Sequence, residues 1–506
     1  MIRIITGEDK KQIDRYAIET LGVPALALME EAASQLARAV SEKCLPGSKI
    51  SAVCGVGNNG GDGIAAARIL QGQGYQTQVI LTGSEEKATE QVMAQLALAA
   101  EAGVQIARNV PAEDAKAVLA GSGLIIDALF GVGLSREVSG VYADWIREIN
   151  LARVPVYAAD IPSGIDATTG AVLGCAVKAD VTVTFGDLLK GLVLYPGAGY
   201  AGKVKVCDIG FPEEALATVP DIRVTYDRTD TAKLPPRRPY THKGSYGRVL
   251  VIAGSRDISG AAYLAAKAAY RTGAGLVRVL THEVNRTILG TLVPEALLSV
   301  YTGEKGADLR VIREAIDWAD VIVAGPGIGR GETGELLTAF AVASGKPAVI
   351  DADGIYHLKQ MNLGVPKQVI LTPHLREMAE FTGKTVFEIH EDLEGTLRGL
   401  PENCEGKIVL KDARTFVKDG ELVYINTNGN SGMATGGSGD VLAGIIGGLL
   451  AQGAEPGEAA RLGVFLHGAA GDRAAARLSK YSLMAGDLIE ALPEVFLEAE
   501  IDDDEE

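Results

Sequence analysis

The stretch Asn428–Asp440 combines an aspartate with a dense set of glycines, in the sequence NGNSGMATGGSGD. An apolar run, VLAGIIGGLL, follows Asp440, so the stretch is expected to open a buried helix. Free backbone N–H groups at a helix start favour developing negative charge, and an adjacent carboxylate could take a proton from a substrate hydroxyl. We therefore interpret Asp440 as a general base, with a flexible turn before a core helix as the alternative.

The first half of the chain has polar side chains directly after three predicted strands. They are Asn59 in the motif GNNGGDG, Asp127 before a glycine loop with an arginine, and Asp160 and Ser163 in DIPSGID. Ligands of open α/β sheets bind at the carboxyl ends of strands, often with phosphate on the next helix N-terminus. The oxygens of Asn59, Asp127 and Ser163 could together hold one hard cation, although each residue alone could simply cap a helix.

The second half carries further motifs at predicted strand ends. They are GPGIG at 325–329, DADG at 351–354, TPHLRE at 372–377 and KDART at 411–415. Rigid turns of glycine and proline allow close approach of a ligand to the backbone. We interpret His374 as functional because other motifs gather there, whereas His467 on the penultimate helix is expected to pack. KDART could grip a nucleotide phosphate or purine, or form a plain β-turn.

The motifs of the first half resemble the epimerase domain of the NAD(P)H-hydrate repair system, over residues 1–222. The matching segments are GNNGGDG, DALFGVGLSRE and DIPSGIDATTG. The resemblance implies interconversion of the R and S epimers, with Asp160 as the acid/base that contacts the hydrated nicotinamide. It also implies a potassium ion (K⁺) at Asn59, Asp127 and Ser163. The other residues implied to bind the substrate are Asn58, Asn59, Gly60, Gly61, Asp62, Gly131, Val132, Gly133, Leu134, Ser135, Arg136 and Glu137.

The second half resembles the ribokinase-like superfamily and, within it, the nucleotide-dependent NAD(P)H-hydrate dehydratases. The matching features are KGSYGRVLVIAGS, GPGIG, DADG, TPHLRE, KDART and NGNSGMATGGSGDVLAG. The residues implied to bind the adenine nucleotide are Lys411, Asp412, Ala413, Arg414, Thr415 and Gly439. The residues implied to contact the hydrate are Ala274, Gly327, His374 and Asp440.

The implied reaction of this second domain is phosphorylation followed by elimination. Asp440 deprotonates the ring hydroxyl, the glycine loop stabilises the transferred phosphoryl group, and Mg²⁺ bound with ADP or ATP screens the phosphates. The ring nitrogen then expels phosphate and NAD(P)H is restored, without redox change. We expect ADP, which would give AMP, because the fused two-domain layout resembles bacterial members.

Two other functions remain open at this point. One is a small-molecule hydroxyl kinase, for example of a hydroxymethylpyrimidine, fused to a non-catalytic Rossmann-like binding domain. The other is a scaffold whose N-terminal domain binds proteins or RNA. The net charge of −17 and the intact polar loops count against the scaffold. We expect small-molecule substrates, no nucleic acid, no membrane and a homo-oligomer.

Strand-like and helical segments alternate along both halves, which predicts largely parallel sheets covered on both faces. The expected fold class is α/β, with an N-terminal Rossmann-like three-layer sandwich and a C-terminal ribokinase-like three-layer domain. The expected boundaries are 1–222 for the first domain, 223–240 for a linker, 241–497 for the second domain and 498–506 for an acidic tail.

The composition places the chain among globular proteins, with 47% hydrophobic and 22% charged residues over 506 positions. Five cysteines without a CxxC pair predict reduced thiols. The N-terminus lacks the apolar segment of a signal peptide, and the apolar run Val441–Leu450 is too short to span a bilayer. We therefore expect a cytoplasmic protein.

Overall fold

The computed structural model describes residues 1–220, 222–303 and 305–505, and for residues 305–307 and 501–505 it describes the backbone only. The chain divides into two compact units, Ile2–Asp221 and Ile222–Glu506, and the second includes Met1. Both contain largely parallel sheets with intervening helices, so the predicted α/β class is confirmed. Among the described residues, no helix combines the length and the apolar character needed to cross a membrane.

The first unit contains nine strands and eight α-helices among its described residues. The strands are β1 (Ile2–Ile5), β2 (Lys49–Cys54), β3 (Gln76–Leu81), β4 (Gln105–Arg108), β5 (Leu124–Ala128), β6 (Val156–Ala159), β7 (Val181–Phe185), β8 (Leu188–Leu189) and β9 (Lys203–Cys207). The helices are α1 (Gly7–Arg15), α2 (Ala25–Ser41), α3 (Asn58–Gly72), α4 (Glu90–Glu101), α5 (Ala115–Val118), α6 (Val141–Leu151), α7 (Lys190–Val193) and α8 (Glu213–Leu216).

Seven of these strands form a parallel sheet in the order β4-β3-β2-β5-β6-β7-β9, and β1 pairs with β8. The central strands β2 and β5 are apolar on both faces, and every residue from Ile50 to Cys54 is buried. Continuous apolar runs of this kind are typical of strands covered by helices on both sides. Because neighbouring strands are parallel, the loops that follow β2, β5 and β6 leave the sheet at the same edge.

Helix α3 begins earlier than the sequence predicts. The motif Gly57–Gly63 is expected to be a loop before the helix, but Asn58 already starts α3. Gly60 makes this possible, because a Cβ atom there would overlap the carbonyl oxygen of Gly55. The glycines of the motif therefore serve close packing of the first helical turns rather than an open loop.

The second unit contains ten strands and eleven α-helices among its described residues. The strands are β10 (Arg223–Thr225), β11 (Arg248–Ile252), β12 (Leu276–His282), β13 (Leu297–Tyr301), β14 (Val321–Ala324), β15 (Ala348–Ile350), β16 (Val369–Leu371), β17 (Lys407–Leu410), β18 (Phe416–Asp419) and β19 (Leu422–Ile425). The helices are α9 (Gly260–Thr272), α10 (Arg286–Leu292), α11 (Lys305–Trp318), α12 (Glu332–Ala343), α13 (Asp353–Gln360), α14 (Leu375–Thr382), α15 (Val386–Glu391), α16 (Leu393–Arg398), α17 (Ser438–Ala451), α18 (Pro456–Leu478) and α19 (Ala485–Glu505).

These strands follow one another across the sheet in the order β13-β12-β11-β14-β15-β16-β17-β18-β19-β10. All pairs from β13 to β17 are parallel, whereas β17, β18 and β19 form antiparallel pairs. A β-hairpin of β18 and β19 therefore precedes the glycine-rich stretch. The carboxyl ends of β14, β15, β16 and β17 share one edge, where the motifs GPGIG, DADG, TPHLRE and KDART begin.

Two of the predicted boundaries are wrong. The expected linker 223–240 starts with β10, which pairs with β19 because its apolar side chains, such as Val224, are buried. The expected acidic tail 498–506 is largely the end of α19, in which Glu498 pairs with Arg473 and Ala499 is buried. Its last residue, Glu506, and the side chains of 501–505 lie outside the described residues.

Helix α17 is buried along almost its whole length and packs against α9. Gly444 and Gly448 lie one helical turn apart. A Cβ atom at Gly444 would overlap the carbonyl oxygen of Ala265, and one at Gly448 would come within 2.9 Å of the carbonyl oxygen of Ala269. The two helix backbones therefore approach closely only because these positions lack a side chain.

We predict that Gly444→Ala destabilises the second unit by about 1–3 kcal/mol, because the added methyl group forces α17 away from α9. Differential scanning calorimetry of the full chain measures the effect. The matched control is Gly290→Ala in α10, where a Cβ atom would meet open space. Equal losses of stability in both variants would contradict the close-packing argument.

Candidate active sites

A cleft of about 1040 Å³ opens at the carboxyl ends of β2, β5 and β6 in the first unit. The start of α3, the loop after β5 and Asp160 after β6 line it, and α1 adds Lys10 and Asp14. Gly57 caps α3 without a side chain, and among the described residues the amides of Asn58 and Asn59 donate to no protein acceptor. Free amides at a helix start favour an anionic group such as phosphate.

Asp127 and Ser163 form a buried polar pair beside this cleft. The Ser163 amide and hydroxyl donate to the Asp127 carboxylate at 2.8 and 2.6 Å, and the amide of Phe130 donates to the Ser163 hydroxyl at 2.9 Å. Asn59 lies close to Gly131, the residue after Phe130. Its Oδ1 is 3.1 Å from the position that a Cβ atom of Gly131 would occupy. The structure thus brings the three predicted metal ligands to the same loop.

The backbone of Asp160 is strained, with a φ of 62° at the end of β6. Its carboxylate is buried and accepts three hydrogen bonds, from Lys10 Nζ at 3.1 Å, Thr184 Oγ1 at 3.1 Å and the amide of Phe185 at 3.3 Å. Three donors, one of them an ammonium, therefore fix the orientation of the Asp160 side chain at the cleft.

Two further carboxyl groups of the cleft have raised pKa values. Burial raises the pKa of Asp14 to about 6, although Lys10 opposes this, and the charge of Asp160 adds a smaller increase. Burial and the charges on Asp160 and Asp14 also raise the pKa of Asp62 well above its usual value, against the effect of Lys10. Both carboxyl groups therefore resist ionisation.

In the second unit, the predicted helix start is present at α17, with Asp440 in its first turn. Gly437 precedes the helix with a φ of 91° and provides no capping side chain. Among the described residues, the amides of Gly439 and Asp440 donate to no protein acceptor. Lys411 Nζ is 3.1 Å from the place a Cβ of Gly439 would take, so an ammonium group stands beside the two free amides.

Charged side chains from three strand ends surround this helix start. Lys411 Nζ donates to Asp351 Oδ1 at 2.9 Å, and the Thr372 hydroxyl donates to the same oxygen at 2.7 Å. Burial lowers the pKa of Lys411, but the carboxylates of Asp351 and Glu377 outweigh it and raise that pKa overall. Burial, followed by the charges of Asp351 and Glu377, raises the pKa of Asp440 to about 7 despite Lys411.

His374 and the main chain of Lys411 connect the segments that follow β16 and β17. The His374 imidazole caps α14, and its Nδ1 accepts from the amides of Arg376 and Glu377 at 3.1 and 3.2 Å. Its Nε2 lies 3.3 Å from Glu377 Oε1. The main chain of Lys411 pairs with that of Pro373, which joins KDART to the TPHLRE turn.

Comparison with known proteins gives matches over almost the whole chain. The family model of the YjeF-related protein N-terminus matches residues 25–191, and that of NAD(P)H-hydrate dehydratase matches residues 249–494. The bifunctional NAD(P)H-hydrate repair enzyme of Thermofilum pendens is 39% identical over 97% of this chain and 96% of its own length. That of Escherichia coli is 34% identical over 97% and 93%. This chain belongs to the family of bifunctional NAD(P)H-hydrate repair enzymes.

The fold of the second unit has a solved counterpart. A ribokinase-like superfamily protein of Enterococcus faecalis matches 55% of this repair-family chain and 96% of its own, with 29% identity and a TM-score of 0.51. The predicted ribokinase-like class is confirmed.

The structure places most predicted residues of the epimerase half at the cleft. The residues from Gly131 to Arg136 line it, as do Asn58, Asn59 and Asp62. Glu137 is not among the lining residues, and Gly60 and Gly61 are buried inside α3 below the surface. Asp127 and Ser163 are fully buried behind the loop, so they can position it or hold a cation but do not face the cleft.

In the dehydratase half, Gly327 follows β14 at the same edge as Asp351 and Lys411. Ala274 does not lie near these residues, because it comes two positions before the first residue of β12. It therefore lies at the amino end of a seven-residue strand, about 20 Å along the strand direction from the carboxyl edge. Among the nucleotide-binding candidates, 411–415 form the bend between β17 and β18, where Arg414 donates to the carbonyl of Thr427.

Sequence reasoning missed several charged residues of the two repair-family sites. Lys10 and Asp14 lie in an amphipathic helix among other polar residues, and nothing in the sequence distinguishes them from surface positions. Asp351 and Glu377 belong to motifs that the sequence identifies, but their pairing with Lys411 requires three strands to be neighbours in the sheet. Only contact across the fold reveals these roles.

His467 is buried as expected, and it also contacts the anion site. Its Nε2 lies 3.2 Å from the Ser438 hydroxyl at the start of α17. Burial lowers the pKa of His467 to about 4, although the bond to Ser438 opposes this. The imidazole is therefore neutral at pH 7 and ties α18 to the glycine-rich helix start.

The depressed pKa predicts a pH dependence of stability. Because the unfolded imidazole, with a pKa of 6.5, binds a proton before the folded one, stability is fully present above pH 6.5 and is lost as the pH falls towards 4. Between pH 6.5 and pH 5 this loss should reach about 2 kcal/mol. Urea denaturation at pH 6.5 and pH 5 measures the free energy of unfolding at each pH. The difference between the two values should be smaller for His467→Gln than for the unmodified chain. An identical difference would mean that the imidazole titrates normally.

Proposed function

We propose that each unit carries one activity of the family. The first unit interconverts the R and S epimers of hydrated NADH and NADPH, and the second dehydrates the S epimer at the expense of a nucleotide. The observation that supports this most directly is the start of α17, where Asp440 stands beside two free amides and the ammonium of Lys411. A base and an anion site at one place suit transfer of a phosphoryl group to a hydroxyl.

The chemistry of the second unit follows from these groups. Asp440, with a pKa near pH 7, takes the proton of the ring hydroxyl as the hydroxyl attacks the terminal phosphoryl group. The amides of Gly439 and Asp440 and the ammonium of Lys411 stabilise the charge on that group. The bond from the ring carbon to the ester oxygen then breaks, phosphate leaves, and the ring nitrogen supplies its electron pair to form a C=N⁺ bond. Loss of a proton from the adjacent ring carbon to water then restores the C=C bond of NAD(P)H. Asp351 keeps Lys411 in place through the hydrogen bond described above.

ADP or ATP would bind along the bend formed by residues 411–415, with its terminal phosphates at the start of α17. Among the described residues, no group of three or more histidine, cysteine, aspartate or glutamate side chains could hold a metal ion. Mg²⁺ commonly binds to proteins through one or two carboxylates and substrate phosphates, so we infer that it arrives with the nucleotide. We favour ADP as the phosphoryl donor because of the fused two-domain layout.

In the first unit, the cleft accepts the dinucleotide, with a phosphate on the amides of Asn58 and Asn59. Asp160 then faces the hydrated ring as the acid/base group, with Lys10 holding its carboxylate. The epimer that the second unit cannot use is thereby converted into the one that it can.

The group Asn59, Asp127 and Ser163 suits a potassium ion by its chemistry. Amide, carboxylate and hydroxyl oxygens are the ligands of hard cations. The Nδ2 atom of Asn59 is buried without a partner among the described residues. Rotating the side-chain amide by 180° would place its oxygen, a possible cation ligand, at that position. Bound there, K⁺ would neutralise the buried Asp127 and fix the loop after β5. We propose these three residues as its holders.

Asp440→Asn should abolish the base while preserving shape. Dehydration of the S-hydrate with ADP, followed by the absorbance of the reduced nicotinamide, should slow by at least about two orders of magnitude. Epimerisation should be unchanged. In the unmodified chain, kcat/KM of dehydration should rise with pH through about 7, because Asp440 acts only when ionised.

The control for this substitution is Asp317→Asn, at an exposed position of α11. It should keep both activities. If Asp440→Asn loses nucleotide binding and retains its turnover at saturating ADP, then Asp440 is a binding residue. A stable phosphorylated hydrate that accumulates without NADH would identify a hydroxyl kinase instead.

Asp160→Asn should slow epimerisation by about 10²–10⁴-fold, since an amide cannot exchange protons with the substrate. Chromatographic separation of the epimers measures the rate in the full chain, without ADP. Dehydration of the S epimer should be unaffected, as should both activities of Asp144→Asn, whose half-exposed side chain pairs with Arg147 on α6. An unchanged epimerisation rate in Asp160→Asn would place the acid/base function elsewhere.

A further inference from the structure

Four ionisable side chains from three elements line the cleft around the same point. Lys10 and Asp14 come from α1, Asp62 from α3 and Asp160 from the end of β6. The epimerase activity described above uses only Asp160 and its partner Lys10. An epimerisation, however, removes a group from one face of a carbon atom and returns it to the other. Two acid/base groups that approach from different elements are suited to such a reaction.

The surroundings of Asp62 and Asp160 differ in the way that this reaction requires. Asp160 accepts hydrogen bonds from an ammonium, a hydroxyl and an amide. Within the described residues, no donor binds the carboxyl group of Asp62. Burial and the charges on Asp160 and Asp14 keep the pKa of Asp62 well above its usual value. One carboxyl group is thus held by three donors, whereas the other lacks a donor and has a raised pKa, and two carboxyl groups in such different surroundings suit an acid and a base.

We propose that Asp62 is a second catalytic residue of the epimerase site, acting as general acid while Asp160 acts as general base, and that Lys10 is the positioning residue that keeps the two in these roles. This inference rests on the proposed epimerase function of the first unit. The sequence resemblance gives Asp62 only a place among the residues that bind the substrate.

The step balances without any reactant but water. Asp62 gives its proton to the ring hydroxyl, the C–O bond breaks with its electron pair on the departing water, and the nitrogen lone pair forms a C=N⁺ bond. A second water adds to the opposite face, and its surplus proton goes to Asp160. The product has the same atoms and oxidation state as the substrate. The proton then returns from Asp160 to Asp62 before the next turnover in that direction.

The charge of the cleft favours this route over opening of the ring. Departure of the hydroxyl leaves a positive charge on the ring, whereas cleavage of the C–N bond leaves none. The carboxylate of Asp160, together with that of Asp62 once it has given up its proton, stabilises a cation in a site of low dielectric constant. These two carboxyl groups therefore serve the intermediate as well as the proton transfers.

An isotope experiment tests the step in the unaltered full chain. The S-hydrate of NADH is incubated in H₂¹⁸O without nucleotide, and the R epimer that forms is analysed by mass spectrometry. Each molecule of the new epimer should carry one solvent oxygen, in excess of the label gained without protein. An R epimer that retains the original oxygen would overturn the proposal, because the ring would then have opened at nitrogen.

Substitutions test the residues. Asp62→Asn should lower kcat of epimerisation about 100-fold or more, with KM changed less than about threefold. The control Asp114→Asn lies on exposed surface. Dehydration of the S epimer in the same preparation reports an intact second unit, and circular dichroism reports the fold. Full epimerase activity in Asp62→Asn would overturn the proposal. If Asp160→Asn is also fully active, the proposed epimerase site fails as a whole.

The role of Lys10 is tested by the pH profile of kcat/KM for epimerisation, which loss of a merely structural residue would not shift. Lys10→Met removes the cation that lowers the pKa of Asp62, so the alkaline limb of the kcat/KM profile, which reports loss of the proton from Asp62, should move to higher pH. Lys10→Arg should restore its position. The charged and titratable groups that line the cleft with Lys10 are Asp14, Asp62, Asp160, Lys11, Lys87, Arg136 and Tyr142. An unmoved alkaline limb in Lys10→Met would contradict the assignment of Lys10.

Discussion

In each unit, a lysine ammonium bound to an aspartate at the end of a parallel strand is the interaction on which the site depends. Lys10 binds Asp160 in the first unit, and Lys411 binds Asp351 in the second. A buried carboxylate without such a partner is costly. The lysines therefore hold the carboxyl groups of Asp160 and Asp351 in place. The neighbouring carboxyl groups, Asp62 and Asp440, have raised pKa values, and that of Asp440 is about 7.

The backbone at these strand ends adopts positive φ angles at or next to the aspartates. Asp160 has a φ of 62°, and Ala352, directly after Asp351, has a φ of 49°. Such conformations are costly for residues other than glycine and persist only where the surroundings fix them. After Ala352 the chain turns so that Asp353 accepts the amide of Gly329 at 2.9 Å, which ties DADG to GPGIG. The strain thus holds two neighbouring turns in place at the edge of the sheet.

Both sites also contain a helix start without a capping side chain. Helices α3 and α17 follow Gly57 and Gly437, and their first amides are free for a ligand among the described residues. Such a helix start favours an anionic group. Close packing holds both helices in place, because a Cβ atom at Gly60 would overlap the carbonyl oxygen of Gly55 after β2, and one at Gly444 would overlap that of Ala265 in α9. Contact between backbones therefore explains these two glycines.

The sequence by itself determined the α/β class, the positions of the main strands along the chain and the loops at their carboxyl ends. It did so because buried parallel strands are continuous apolar runs and glycine-rich motifs follow them directly, as at Asn59 and Asp160. Short strands such as β4, β10 and β13 were not apparent, since their residues alternate or are only partly buried. Only the tertiary structure decided that Lys10 meets Asp160 across 150 positions of the chain, and that Ala274 lies at the opposite edge of its sheet from Asp440. Charge pairing and burial depend on which strands become neighbours, and this adjacency is not encoded in any local stretch of residues.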